Sequence, residues 1–309
     1  MRILRGLGAT ERLSGTAVTV GSFDGVHVGH QALLREAVER GKRAGLVSLA
    51  VTFDPHPAAV LSGSSNVACL TTTTEKAGLI DECGVEVLAI LAFTRELASL
   101  TAAQFVERVL VGCLGLRCLV HGPTHRFGRD GAGTPEATRR IANRLGFEAV
   151  CVEPVGVDGE PVSSTRVRQA VSLGRVDAAA RMLGRPYAVT GTVVRGFARG
   201  RGLGFPTANV SPPPGKLIPA AGIYACRARL ESGTAHPGVV YVGQAPTFQG
   251  VEATRVECHL LDFDRDLYGQ TLRVEFVQHL RGDQTFGAPA ELIEQIGRDV
   301  ARAREVLGG

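Results

Sequence analysis

The chain has 309 residues, 44% hydrophobic and 21% charged, with a formal net charge of +4. That is the make-up of a globular protein with room for two cores, since single domains cluster near roughly 100–150 residues. Its 34 Lys and Arg are dispersed rather than blocked, so an anionic small molecule is the expected partner and nucleic acid is not; no run nears the roughly 18 apolar residues of a membrane span.

Through the first 185 residues, strand and helix signals alternate. Apolar runs at 17–20, 47–53, 85–93, 116–120 and 149–152 predict buried parallel strands. Between them, residues 31–43 put Leu34, Ala37 and Val38 on one helical face. Thr101 and Gln104 have capping-box spacing, and Thr134-Pro135 supplies an N-cap with a first-turn proline. The alternation predicts an α/β doubly wound parallel sheet, which binds ligands at the carboxyl ends of its strands. Helical stretches at 164–173 and 177–183 lead to a linker at Gly184-Arg185-Pro186. Beyond it, β-branched runs at 187–194, 222–230, 237–242, 256–263 and 271–280 are separated by Gly, Pro and Asp turns, which predicts a small antiparallel β-barrel. From Pro289 a helical pattern aligns Leu292, Ile293, Ile296, Val300 and Ala303, so a C-terminal helix is expected across the barrel. Two domains are expected, 1–184 and 185–309.

The run Gly21-Ser22-Phe23-Asp24-Gly25-Val26-His27-Val28-Gly29-His30 stands where the first strand ends and a helix begins. A tight turn feeding a helix N-terminus presents backbone N–H groups and the positive dipole end to phosphate. His27 and His30, three residues apart at that entry, are candidates to donate hydrogen bonds to oxygens that gain charge as pyrophosphate leaves. Gly21, Phe23 and Asp24 are assigned to the same nucleotide site. In Val162-Ser163-Ser164-Thr165-Arg166, the hydroxyls of Ser164 and Thr165 and the guanidinium of Arg166 suit a second phosphate contact. Taken alone, that segment reads more readily as a capped helix with solvated arginines; paired with the histidine motif, the phosphate reading is favoured. His56, held between Pro55 and Pro57, is either a ligand contact or part of a rigid turn.

In the second half, Gly200, Gly202 and Gly204 would let backbone approach phosphate closely, and Thr207 and Asn209 present two hard oxygens on one side of an extended strand. That spacing suits a Mg²⁺ ion shared with ATP phosphates. No Gly-Lys-[Ser/Thr] follows, so this is not a Walker A loop. In Arg255-Val256-Glu257-Cys258-His259-Leu260, Glu257 and His259 share one strand face. Glu257 is a solvated strand residue or a general base, and phosphoryl transfer to an alcohol would need the base. Seven cysteines, an odd number without a Cys-x-x-Cys pair, suit a reduced cytoplasmic protein that uses them as small buried hydrophobes. The start Met1-Arg2-Ile3-Leu4-Arg5-Gly6 has no apolar h-region, so no signal peptide is expected.

These motifs, taken together and in order, resemble the bifunctional prokaryotic riboflavin kinase/FAD synthetase family. The resemblance runs through Thr52-Phe53-Asp54-Pro55-His56-Pro57, Leu183-Gly184-Arg185-Pro186-Tyr187, Gly204-Phe205-Pro206-Thr207-Ala208-Asn209, Val242-Gly243-Gln244-Ala245-Pro246-Thr247 and Asp266-Leu267-Tyr268-Gly269. It implies an N-terminal, Rossmann-like His-x-Gly-His nucleotidyltransferase domain that adenylylates FMN, and a C-terminal riboflavin kinase barrel. It further implies that Thr207 and Asn209 hold Mg²⁺ and nucleotide, that Glu257 is the kinase base, and that His56, Thr124, His125 and Arg281 bind flavin. ATP, riboflavin and FMN would be the substrates, and an oligomer is allowed. One stretch departs from the family pattern: Thr124 replaces an Asp or Asn, His125 an aromatic residue, and Gly131 an arginine. Lost contacts of those kinds cost on the order of 1–3 kcal/mol each. A kinase with a weakened or lost adenylyltransferase half is therefore an alternative, and a flavin- or nucleotide-binding sensor without turnover is a second. Tyr241, in place of the usual Asn before Val-Gly, and Arg265 are milder departures.

Overall fold

The computed structural model describes residues 1–6, 13, 15–63, 67–196, 204–246 and 252–308. Its contacts divide the chain into two compact units, Met1–Ser164 and Thr165–Gly309. The first holds a six-stranded parallel sheet built from β1 (Arg2–Arg5), β2 (Thr16–Val20), β3 (Val47–Asp54), β4 (Val87–Ala92), β5 (Leu116–His121) and β6 (Glu148–Cys151). The spatial order is β1-β4-β3-β2-β5-β6. Five of these strands coincide with apolar runs. The edge strand β1 does not, because Arg-Ile-Leu-Arg is largely exposed and holds its place by pairing Arg2–Arg5 with Val87–Ile90. From β2 the chain first builds outward through β3 and β4, then returns to add β5 on the other side. The crevice between the ends of β2 and β5 is thus the switch point at which such sheets take ligands.

Helices cover both faces of this sheet. They are α1 (Val28–Ala44), α2 (Pro57–Ser62), α3 (Thr73–Asp81), α4 (Arg95–Ser99), α5 (Ala102–Gln104), which runs into a π-helical stretch Phe105–Val111, and α6 (Pro135–Leu145). Thr101 and Gln104 form the expected capping box, and Thr134 caps α6. Helix α1 begins three residues before its apolar periodicity because His27 is itself the cap. Val18, Val20, Leu49 and Val51 bury against Phe105, Val106, Val109 and Leu110 on one face, while Ala50, Leu88 and Ile90 meet Phe23, Leu34, Val38 and Ile80 on the other. Each such large apolar side chain contributes roughly 1.5–3 kcal/mol by leaving water. A two-residue hairpin pairs β7 (Gly156–Val157) with β8 (Glu160–Pro161).

The second unit is a closed antiparallel barrel in the order β10-β13-β12-β11-β14-β9. Its strands are β9 (Tyr187–Val194), β10 (Ala208–Ser211), β11 (Gly222–Leu230), β12 (Ala235–Pro246), β13 (Glu252–Leu260) and β14 (Thr271–Arg281). Val189, Val210, Tyr224, Val240, Val256, Cys258 and Phe276 fill the interior. Helix α7 (Ser164–Ser172) leads into α8 (Val176–Leu183), which packs against β9 and β14. The long helix α9 (Pro289–Gly308) lies on the outer barrel wall, with Val300, Ala303, Val306 and Leu307 against Ile223, Ala225 and Val239. Its buried stripe differs from the aligned pattern at two places. Ile293 is exposed, while Asp299 is 5% exposed because its carboxylate accepts from Arg281 Nε and Nη2 at 2.8–3.1 Å.

Candidate active sites

The turn between β2 and α1 is held from several directions. Phe23 and Val26 have positive φ angles of 46° and 40°, costly for side chains with a Cβ and sustained here by burial of both. The Phe23 ring lies in the core, edge-on to His30 at 5.2 Å, so it supports the site rather than lining it. Asp24 is likewise interior, at 1% exposure, and its carboxylate accepts from the N–H groups of Leu70 and Thr71 at 3.1 and 3.2 Å. Its backbone carbonyl accepts from Ser164 Oγ at 2.9 Å, which brings two separately identified motifs together. Thr165 and Arg166 follow Ser164 in the first turn of α7.

His27 caps α1 through Nδ1, which accepts the His30 N–H at 3.2 Å. In the neutral ring that bond leaves the proton on Nε2, as a donor. The His30 ring stacks on His27 at 3.6 Å and 17°. Burial first, then the facing His27 and the nearby Lys76 ammonium, hold the His30 pKa well below the ordinary histidine value. His30 is therefore neutral at neutral pH. Its Nδ1 is buried and has no hydrogen-bond partner among the described residues. A Cβ at Gly29 would press on the His27 ring at 3.2 Å, so the glycine leaves room for this stacking.

Across the switch point, the chain leaving β5 carries His121, His125 and Phe127. The His125 ring lies 6.3 Å from His121 and edge-on to Phe127 at 5.4 Å, so a flat ring does stand where the family pattern has an aromatic. Burial and, secondarily, His121 push its pKa down to about 4, leaving it uncharged. Thr124 is exposed beside it, and Gly131 takes φ 65°. At the end of β3, His56 caps α2 through Nδ1, which accepts from Ala58 N–H at 3.2 Å, so its turn role is realised.

Lys76 is a residue that sequence reasoning missed. It is 5% exposed, its Nζ lies 3.4 Å from Thr52 Oγ1, and Thr52 donates in turn to the Ser22 carbonyl at 3.1 Å. Burial lowers its pKa, opposed by Asp24, Cys69 and Asp54. The only sequence signal was the capping box Thr72/Glu75 that starts α3 and fixes where Lys76 falls.

On the barrel, strand register assembles the second site. Asn209 on β10 stands directly opposite Glu257 on β13, and Glu257 directly opposite Tyr241 on β12. Their neighbours Val210, Val256, Cys258, Val240 and Val242 are buried inside, so this row faces outward by the two-residue alternation of strands. Glu257 is half-buried, with Arg255 Nη1 3.7 Å from its Oε1. His259 Nδ1 lies 2.7 Å from the Pro206 carbonyl and its ring is edge-on to Phe205, which pins the residues just before Thr207. A depression of about 330 Å³ beside Thr207 is walled by Leu260, Phe263, Arg265 and Tyr268. A second, open groove of about 700 Å³ runs between residues 283–286 and Glu291, Glu294, Gln295 and Arg298 of α9. Arg281 adjoins that groove, but its guanidinium is engaged by Asp299. Gly200 and Gly202 lie outside the described residues; Gly204 makes an exposed turn with φ 87°.

Comparison with known proteins decides the family. Residues 9–166 match the FAD synthetase family and residues 183–307 the riboflavin kinase family. The chain belongs to the bifunctional riboflavin kinase/FMN adenylyltransferases. It is 36% identical over 310 residues to the Escherichia coli K12 member, covering 100% of this chain and 98% of that one. It is 38% identical over 305 residues to the Pseudomonas fluorescens member, covering 98% and 97%. A crystal structure described as a macrolide-efflux protein from Streptococcus pneumoniae matches at TM-score 0.90 and 30% identity, covering 98% of this chain and 99% of that one. Among the described residues of this chain, no helix is long and apolar enough to cross a membrane.

The family's two reactions call for different chemistry, and the two candidate sites differ in the same sense. Phosphorylating riboflavin uses an alcohol nucleophile, which needs a proton acceptor; adenylylating FMN uses a phosphate, which is already anionic. The barrel offers a carboxylate, and the parallel-sheet unit offers uncharged imidazoles and a buried ammonium.

Proposed function

We propose that residues 185–309 phosphorylate riboflavin with Glu257 as general base, and that residues 1–184 adenylylate FMN with His27 and His30 as donors. The carrying observation is the direct pairing of Asn209 with Glu257 on the outer barrel face. The ribityl 5′-hydroxyl attacks the γ-phosphorus in line, Glu257 accepts its proton, and ADP leaves. Thr207 and Asn209 are neutral oxygen donors, a type that suits a Mg²⁺ ion shared with nucleotide phosphates. Thr207 and Asn209 would hold Mg²⁺, which would neutralise charge on the phosphates. The depression beside Thr207 suits the rest of the nucleotide, and the groove against α9 suits the flavin, with the Phe286 ring in its wall.

In the parallel-sheet unit, an FMN phosphate oxygen attacks the α-phosphorus of ATP and pyrophosphate leaves. His27 Nε2–H donates to the oxygens that gain charge; Ser164, Thr165 and Arg166 add further donors at the start of α7. Lys76 supplies buried positive potential beneath the loop. The His125 ring serves as the flat flavin-side surface, which supports a working adenylyltransferase half over the kinase-only reading. ATP as the shared substrate and the cysteine pattern support a cytoplasmic enzyme. A time course with riboflavin and Mg-ATP tests the whole: FMN rises first and FAD follows. FMN accumulating without FAD would reduce the protein to its kinase half.

A further inference from the structure

We propose that Tyr241 is a positioning residue for riboflavin phosphorylation: its hydroxyl ties the groove residue Asp283 to the strand row that carries Glu257. The inference rests on the reading of the barrel as the kinase site with Glu257 as base. Tyr241 stands directly opposite Glu257 across β12 and β13, where paired Cβ atoms lie about 4.5–5.5 Å apart. Its ring lies across Gly243, in space that any Cβ at that position would occupy, and packs against the apolar cluster that seats α9. From there the hydroxyl donates to Asp283 Oδ2 at 3.2 Å. Burial, then Asp283 and Glu257, raise its pKa, so it remains a donor across the neutral range.

Asp283 stands two residues beyond the end of β14 and lines the 700 Å³ groove with Gln284, Phe286 and the first turns of α9. Two fastenings fix the start of this wall. Arg281 grips Asp299 on α9, and Tyr241 holds Asp283 from the barrel. Among the described residues, the other side-chain bond of Asp283 is the local one from Gln284 N–H at 2.9 Å. Tyr241 is therefore the link that sets the distance between the flavin-receiving wall and the proton acceptor. A shorter side chain on this β12 position could not span that gap while covering Gly243. The departure from Asn at residue 241 is thus a structural element of the kinase site.

The test is steady-state kinetics on the 309-residue chain with Tyr241→Phe, Asp283→Ala and the double variant. Tyr241→Phe keeps the ring and its packing and removes only the hydroxyl. The expected result is a riboflavin KM raised about three- to tenfold, with kcat changed less than about twofold, and with the ATP KM and FMN adenylylation unchanged. Asp283→Ala, which removes the acceptor, should move the same parameter, and the double variant should be no worse than the more impaired single, since both break one bond. A side chain that merely fills space would leave Tyr241→Phe silent, and an unchanged riboflavin KM overturns the proposal. Equal rises in both substrates' KM values would also overturn it. Glu257→Gln separates this from the underlying reading: if that variant still turns over normally the kinase assignment fails, whereas an inactive Glu257→Gln beside a silent Tyr241→Phe sinks the tether alone.

Discussion

The β2–α1 turn and the Asn209–Glu257–Tyr241 row, the two sites proposed for phosphate transfer, have opposite electrostatics. In the turn, burial and the neighbours His27 and Lys76 keep His30 uncharged, so the site offers neutral donors above a buried cation. On the barrel, a half-buried carboxylate faces outward next to an amide and a phenol. The nucleophile explains the difference: an FMN phosphate arrives without a proton to lose, and a ribityl hydroxyl does not. Each site is therefore best broken by a substitution that should leave the other untouched.

Glu257→Gln should have the largest effect. Riboflavin phosphorylation should fall roughly 10²–10⁴-fold, the usual worth of general base catalysis, while FMN supplied directly is still converted to FAD. Separating flavins from the two reactions by chromatography reads both numbers, and more than about a tenth of normal FMN formation would reject the base. His30→Ala should give the mirror image at somewhat smaller size. FAD formation from FMN should drop roughly 10²–10³-fold, as when one charge-stabilising donor is removed, with riboflavin phosphorylation intact. A loss shared by both reactions would show instead that the variant had unfolded.

The smallest expected effect concerns stability and pH. His125 has a folded pKa of about 4 against 6.5 unperturbed, so the unfolded chain binds the proton more readily between those values. Its stabilising contribution is complete above pH 6.5 and is lost as pH falls towards 4. His125→Phe removes this dependence, so its melting temperature should decline less than the parent's on acidification through that window. Parallel declines measured by circular dichroism would contradict the burial of a neutral ring.

The sequence made the sites visible where chemistry and local pattern coincide. His27 and His30 were legible from their spacing at a helix entry, and Glu257 from strand alternation beside Val256 and Cys258. Alternating apolar runs announced the doubly wound sheet, but β1 escaped because an exposed edge strand of four residues carries no apolar signal. Tertiary neighbours were not legible. Phe23 and Asp24 sit inside the nucleotide motif yet point inward, the one into the core and the other to Leu70 and Thr71. The resemblance implies flavin contact for Arg281, whose guanidinium is engaged by Asp299, a partner that the pairing of β14 with α9 supplies and the linear sequence does not show. Lys76 and Tyr241 owe their roles to residues distant in sequence, which a linear pattern does not encode.

If the His27 ring both caps α1 and donates in the proposed adenylyl transfer, that dual use sets a limit on how this protein can be improved. Asparagine is among the preferred residues at a helix N-cap, and a good cap is worth about 1 kcal/mol. Directed selection for heat resistance would thus be free to replace His27 with Asn, keeping α1 capped while discarding the Nε2 donor. On the proposed donor role of His27, robustness and adenylyl transfer compete for a single side chain there, so a thermostability screen on this enzyme has to be paired with an FAD readout.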